Sequence, residues 1–192
     1  TSIGSSAFTN SIIKKKITVI WSSPTLAINS YAFLNTTFKD EVNLTGVYEL
    51  GSSSFQDTTF NENVILDEIT TISTYAFMNT TFDKNINLTD INQIHDEAFK
   101  DINVTGIATI TDIQTIDNNV FYTATFSDDV TLNNITSMGN SVFYEAIFNV
   151  NKNIIFTNIG QIGEKSFYKT NIYNNGDVSL PTITSIGESA FY

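Results

Sequence analysis

Ile186-Gly187-Glu188-Ser189-Ala190-Phe191 is the phrase whose reading decides the fold, because the chain repeats it with small edits from one end to the other. Its closing Phe recurs at Phe8, Phe33, Phe55, Phe77, Phe99, Phe121, Phe143, Phe167 and Phe191, at 22-residue intervals through the middle and 24 or 25 near the ends. A period of this length marks a solenoid, whose units bury their apolar faces only by stacking on neighbours. The expectation is therefore one elongated array over residues 1–192, about eight coils of 22–25 residues, with no central globular core.

Each slot of the phrase has a physical requirement. The second holds Gly4, Asn29, Gly51, Ser73, His95, Asp117, Gly139, Gly163 and Gly187. These residue types accept positive φ readily, so a backbone corner is predicted there. The slot before Phe holds Ala7, Ala32, Ser54, Ala76, Ala98, Val120, Val142, Ser166 and Ala190, small enough for coils to press together. At the ~4.8 Å spacing of stacked strands, the Phe rings form a continuous spine with offset aromatic packing.

Five residues after most of these Phe comes a second apolar slot, the far wall of the coil: Ile13, Phe38, Phe60, Phe82, Val104, Phe126, Phe148 and Ile172. Alternating pairs follow, Val42-x-Leu44, Val64-x-Leu66, Ile86-x-Leu88, Val130-x-Leu132, Ile154-x-Phe156 and Val178-x-Leu180, which predict short strands with one buried face. A third element, such as Ile69-x-x-Ile72 or Ile113-x-x-Ile116, leads back into the phrase. The Ser, Asp or Asn that often precedes Ala-Phe predicts one capped helical turn at each bend. An insertion at Trp21-Ser22-Ser23-Pro24 breaks the period, its Trp either an interface anchor or a cover for the loop's base. Extra residues at 149–153 and 173–177 predict wider turns.

Charge and composition exclude several classes. The net charge is −11, with nine Lys and no Arg, so the forked donors that grip phosphate and guanine are missing and nucleic acid is not an expected partner. Lys14-Lys15-Lys16 reads as a solvated coil edge or a small anionic contact patch. There is no Cys, and no apolar run approaches the ~20 residues that span a bilayer, so no membrane insertion is expected of this stretch. The chain opens and closes inside repeat phrases, which is expected of a fragment without its caps.

Units such as Ile94-His95-Asp96-Glu97-Ala98-Phe99 and the run from Ile72 to Leu88 resemble the BspA-like leucine-rich repeat, also called the Treponema pallidum type, over essentially the whole chain. That family's unit reads approximately I-G-x-x-A-F-x-x-C-x-x-L-x-x-V-x-I-P. Here its Cys slot is Thr36, Thr80 or another polar residue, its Leu slot moves one place earlier to Phe38 or Phe82, and its Pro survives only as Pro181. The resemblance implies a right-handed, mainly β leucine-rich-repeat solenoid of short parallel strands. It also implies a cell-surface or secreted protein of bacteria or parasitic protists, often an adhesin that binds host extracellular-matrix or cell-surface proteins. The alternatives are a passive stalk that displays another domain and an intracellular scaffold.

Alternation along the strand nominates an exposed sheet face as the binding site. One row is Glu41, Asn63, Asn85, Ile107 and Asp129; beside it run Asn43, Ile65, Asn87, Thr109 and Thr131; then Thr45, Asp67, Thr89, Thr111 and Asn133. The rows continue at Asn153, Ile155 and Thr157 and at Asp177 and Ser179. Solenoids use such surfaces for recognition, although any solvent-facing sheet is polar somewhere. A second candidate is the ladder Tyr122, Tyr144, Tyr168 and Tyr192, either a contact strip or packing over the corner turn. Acidic turns at Asp40-Glu41, Asp83 and Asp128-Asp129 are read as solvated, with joint Ca²⁺ binding as the alternative. His95 is read as structural, and one His, no Cys and no Gly-x-Ser-x-Gly elbow leave no nucleophile and base to pair. No catalysis and no cofactor are expected. Six Asn-x-Thr sequons begin at Asn35, Asn43, Asn79, Asn87, Asn103 and Asn134, and glycans at Asn43 and Asn87 would crowd the proposed face.

Overall fold

In the computed structural model, residues 1–20, 26–149, 152–170 and 182–192 are described. The Trp21–Pro24 insertion, Ile172, the 173–177 turn, Asp177, Val178, Ser179, Leu180 and Pro181 lie outside them. The chain winds into a parallel β-solenoid of about eight turns with two ribbons of strands: among the described residues, a 13-stranded sheet and a 7-stranded sheet, paired in parallel throughout. The narrow ribbon runs from Ile12–Ile13 through Thr37–Phe38, Thr59–Phe60, Thr81–Phe82, Asn103–Val104 and Thr125–Phe126 to Ile147–Phe148. The broad ribbon carries both the Val-x-Leu strand and the third element, which merge in the middle coils into single runs: Ile86–Ile94, Ala108–Ile116 and Val130–Met138.

The Phe spine is continuous. Each ring stacks on the next from Phe8 to Phe191, with centroids 4.8–5.2 Å apart. A second file, Phe38–Phe60–Phe82 and Phe126–Phe148, lies at 4.9–5.2 Å and is interrupted where Val104 takes the slot. Rings of the two files meet tilted, as at Phe55–Phe60, and fill the coil interior. In three coils the slot in which the family carries Cys holds buried hydroxyls, Thr36, Thr58 and Thr80, which donate to the carbonyls of Phe8, Phe33 and Phe55 at 2.7–2.8 Å, whereas Ile102, Ala124 and Ala146 fill it with buried apolar groups rather than the expected polar ones. A polar group is thus accommodated inside by bonding across coils.

Two sequence expectations are corrected. No helical turn forms at the Ala-Phe bends; no helix occurs among the described residues. Around Phe55, alternate N–H groups serve different coils. Ser54 and Gln56 donate within the bend, to the carbonyls of Gly51 and Ser53, whereas Ser53, Phe55 and Asp57 donate to Thr74, Ala76 and Met78 of the next coil. An α-helix needs every N–H for its own i−4 carbonyl. Here half of them bond the stack instead, and a pair of tight turns results.

The left-handed corner is also displaced from the Gly slot. Positive φ falls two residues before each Phe (Ser6, Tyr31, Ser53, Tyr75, Glu97, Asn119, Ser141, Lys165, Ser189) and again two residues after Phe8, Phe33, Phe55, Phe77, Phe99, Phe121, Phe143 and Phe167. A third position follows the Val-x-Leu strand, at Gly46, Glu68, Asp90, Asp112, Asn134 and Asn158. At Gly51, Gly139, Gly163 and Gly187 the second slot is crowded by the preceding coil, whereas at Gly4 it is open. A Cβ on Gly163 would lie 2.2 Å from the Gly139 carbonyl oxygen, and one on Gly51 would lie 2.8 Å from the Ser30 nitrogen.

Candidate functional site

The nominated face stands on strands held in fixed register. Asn43 pairs with Ile65, Ile65 with Asn87, Asn87 with Thr109, Thr109 with Thr131 and Thr131 with Ile155. Inward residues of the same strands, such as Val64, Leu66, Ile86 and Leu88, are fully buried. The outward set is thereby fixed by the two-residue pleat.

Most of the first row is occupied by the stack itself. The Asn63 side-chain carbonyl accepts the N–H of Asn85 at 3.2 Å, that of Asn85 accepts the N–H of Ile107 at 2.9 Å, and the Asp129 carboxylate accepts the N–H of Asn153 at 2.8 Å. Glu41 pairs with Lys16 at 2.7 Å. The third row is partly engaged: Thr45 donates to the Asn43 side chain at 2.8 Å, and Asn133 accepts from Thr157 and Asn158 at 2.7 and 3.3 Å. Asp67 is pushed above the usual carboxylate range, by burial first and then by the charges of Glu68 and Asp90, against a lowering backbone bond from Glu68.

What remains free is narrower than the nominated face. Among the described residues, Ile65, Asn87, Thr109, Thr131 and Ile155 make no side-chain hydrogen bond, and neither do Thr89 and Thr111. Ile107 stands beside them 41% exposed and Ile155 likewise 41% exposed. The free surface is one straight file of Ile, Asn and Thr, flanked by an apolar Ile107 and by the acidic pair Glu68 and Asp90. An open recess of about 210 Å³, lined by Glu68, Ile69, Thr70, Asp90 and Asn92, follows the left-handed residues on the acidic side. The sequence reading missed Glu68 and Asp90, and the available signal was their identical offset after the strand in successive coils.

The other candidates resolve into bonding roles. Ser73, His95 and Asp117 occupy one slot on three successive coils, an order that invites comparison with a hydrolytic triad. His95 Nδ1 does lie 2.8 Å from the Asp117 carboxylate, which Gln93 also holds at 3.1 Å. The Ser73 hydroxyl, however, donates to Glu49 at 3.0 Å, so nucleophile and base are not joined. In the acidic turns, Asp40 and Asp128 accept the N–H groups of Glu41 and Asp129, Asp83 accepts from Asn61, and Asp128 also pairs with Lys152 at 2.8 Å. Among the described residues no group of three metal-ligating side chains occurs, and no helix is long and apolar enough to cross a membrane. The Tyr ladder is a true stack, with centroids 5.0, 5.0 and 5.2 Å apart.

Of the sequons, Asn35, Asn79 and Asn134 donate their side-chain amides to Asn10, Asp57 and Asp112 on the preceding coil. Asn87 keeps its amide free and exposed on the face.

No curated protein and no solved structure matches the chain. The profile of the BspA type leucine rich repeat region matches residues 1–83 and 48–174, in six copies. Repeats of this type support a repeat-based protein-interaction region, and the chain belongs to the BspA-type leucine-rich repeat family.

Proposed function

We propose that this array is the recognition part of a cell-surface or secreted adhesin, binding a host extracellular-matrix or cell-surface protein through the file Ile65, Asn87, Thr109 and Thr131 with Ile107 beside it. The observation that carries the reading is the division of labour across the outward rows. Neighbouring Asn and Asp side chains are committed to backbone bonds between coils, whereas this file is left uncommitted and straight at one side chain per coil. Apolar and hydroxyl groups on a rigid sheet present contact area with little ordering cost on binding. The reading assigns no chemistry to the array, consistent with the separation of Ser73 from His95 by the Glu49 bond.

The test is a triple variant, I65E/T109E/T131E, assayed against a panel of immobilised host matrix proteins beside the unsubstituted chain. Binding by the parent that falls at least tenfold in the variant supports the face. Equal binding by both refutes it, and no binding by the parent favours a stalk. Enzymatic glycosylation restricted to Asn87 would abolish binding on the same reading, because that amide projects from the middle of the file.

A further inference from the structure

We propose that the stacked tyrosines Tyr122, Tyr144, Tyr168 and Tyr192 form an oxidative cross-linking site, at which a one-electron oxidant of the peroxidase–peroxide class joins neighbouring coils by a dityrosine bond. The stack is built by the period of the chain: each Tyr follows a spine Phe, so the fold sets the rings in register. Tyr122 and Tyr144 lie with centroids 5.0 Å apart and planes within 3°, Tyr144 and Tyr168 at 5.0 Å within 17°, and Tyr168 and Tyr192 at 5.2 Å within 13°. The spine rings Phe121, Phe143 and Phe167 one residue away are buried, whereas Tyr122, Tyr144 and Tyr168 are only partly buried and Tyr192 is exposed. Lys100 stands 5.6 Å from the Tyr122 ring and Lys169 5.3 Å from that of Tyr168.

The chemistry closes without another partner. Each phenol loses one electron to the oxidant and its hydroxyl proton to water, giving two phenoxyl radicals on adjacent coils. Turning about the side-chain bonds brings their ortho carbons together, a carbon–carbon bond forms, and the two ortho hydrogens leave as protons while the phenols re-form. Overall, two tyrosines and one hydrogen peroxide give one dityrosine and two waters. Proximity selects the pair more than exposure does. Tyr31 and Tyr75 are 47% and 38% exposed, yet they sit two coils apart with Ser53 between them and have no stacked neighbour.

The test treats the intact folded chain with peroxidase and hydrogen peroxide at low protein concentration, then reads dityrosine fluorescence, the monomer's mass and the linked peptides. The expected product is a monomer lighter by two hydrogens, with the bond mapped to Tyr122–Tyr144, Tyr144–Tyr168 or Tyr168–Tyr192. The same treatment in denaturing urea is expected to lose that selectivity. Y144F/Y168F keeps the stacked rings, as far-UV circular dichroism would check, but should lose most of the monomeric dityrosine, whereas Y31F/Y75F should retain it. Links that map to tyrosines outside this stack, cross-linked dimers without a modified monomer, or an undiminished signal in Y144F/Y168F would overturn the proposal. The mapping on the parent chain decides the question even if a variant folds poorly.

Discussion

Single side chains show where the repeat is strained and where it is satisfied. Ser54 occupies the slot that is mostly Ala or Val, is fully buried, and its hydroxyl has no partner. Ser166, in the same slot, donates to the carbonyls of Gly139 and Gly163 at 2.7 and 2.9 Å. An unmade buried bond costs about 1–3 kcal/mol. Ser54→Ala should therefore raise the urea midpoint, by about 1 kcal/mol in stability, whereas Ser166→Ala should lower it. Gly163 marks the opposite limit. Because its added Cβ would fall 2.2 Å from a backbone oxygen, Gly163→Ala is expected to cost about 1–3 kcal/mol by overpacking. At Gly4, in the same slot, an added Cβ would meet nothing within 4 Å, so the crowding varies from coil to coil.

At the level of the element, the unit of stability is a ring or a side-chain amide repeated on every coil. Phe99 lies between Phe77 and Phe121, at 4.8 and 5.2 Å, and is wholly buried. Phe99→Ala should cost about 3–5 kcal/mol, measured by chemical denaturation, and in an array coupled only between neighbours it should also broaden the transition. Asn85→Ala removes the acceptor for the Ile107 N–H, so a loss of about 0.5–1.5 kcal/mol is expected. These elements differ in how legible they were. The Phe spine, the small slot and the Val-x-Leu strands could be read directly, because an apolar period of 22 leaves its mark on residue type. The bends could not. Their geometry depends on which N–H groups serve the next coil, and four of the nine left-handed positions before Phe are filled by Tyr31, Tyr75, Glu97 and Lys165, types that carry no turn signal. The candidate face was half legible for the same reason. Alternation placed Asn63, Asn85 and Asp129 outward correctly, but their commitment to backbone N–H groups is set by coil-to-coil register, which single-coil patterning does not contain.

Over the whole molecule, stacking places like side chains of successive coils close together, and in a chain of net charge −11 this crowds carboxylates. Some are relieved: Asp128 is held below the usual range by its bonds to Lys152 and to the Asp129 N–H. Asp67 is not relieved, since burial raises it first and Glu68 and Asp90 add to the effect. The signs of the two are opposite. Asp128 contributes stability that is present above the ordinary carboxylate pKa and lost as pH falls through its lowered value. Asp67 binds its proton more tightly folded than unfolded, so it withdraws stability as pH rises through the interval between its ordinary and raised values. Asp67→Asn removes that pH dependence. Urea midpoints of parent and D67N from about pH 3 to pH 7 should therefore diverge, with the variant gaining on the parent as pH rises. A difference that is flat or reversed would refute the assignment. Added salt separates the causes: it screens Glu68 and Asp90 but leaves burial in place, so the divergence should shrink without vanishing.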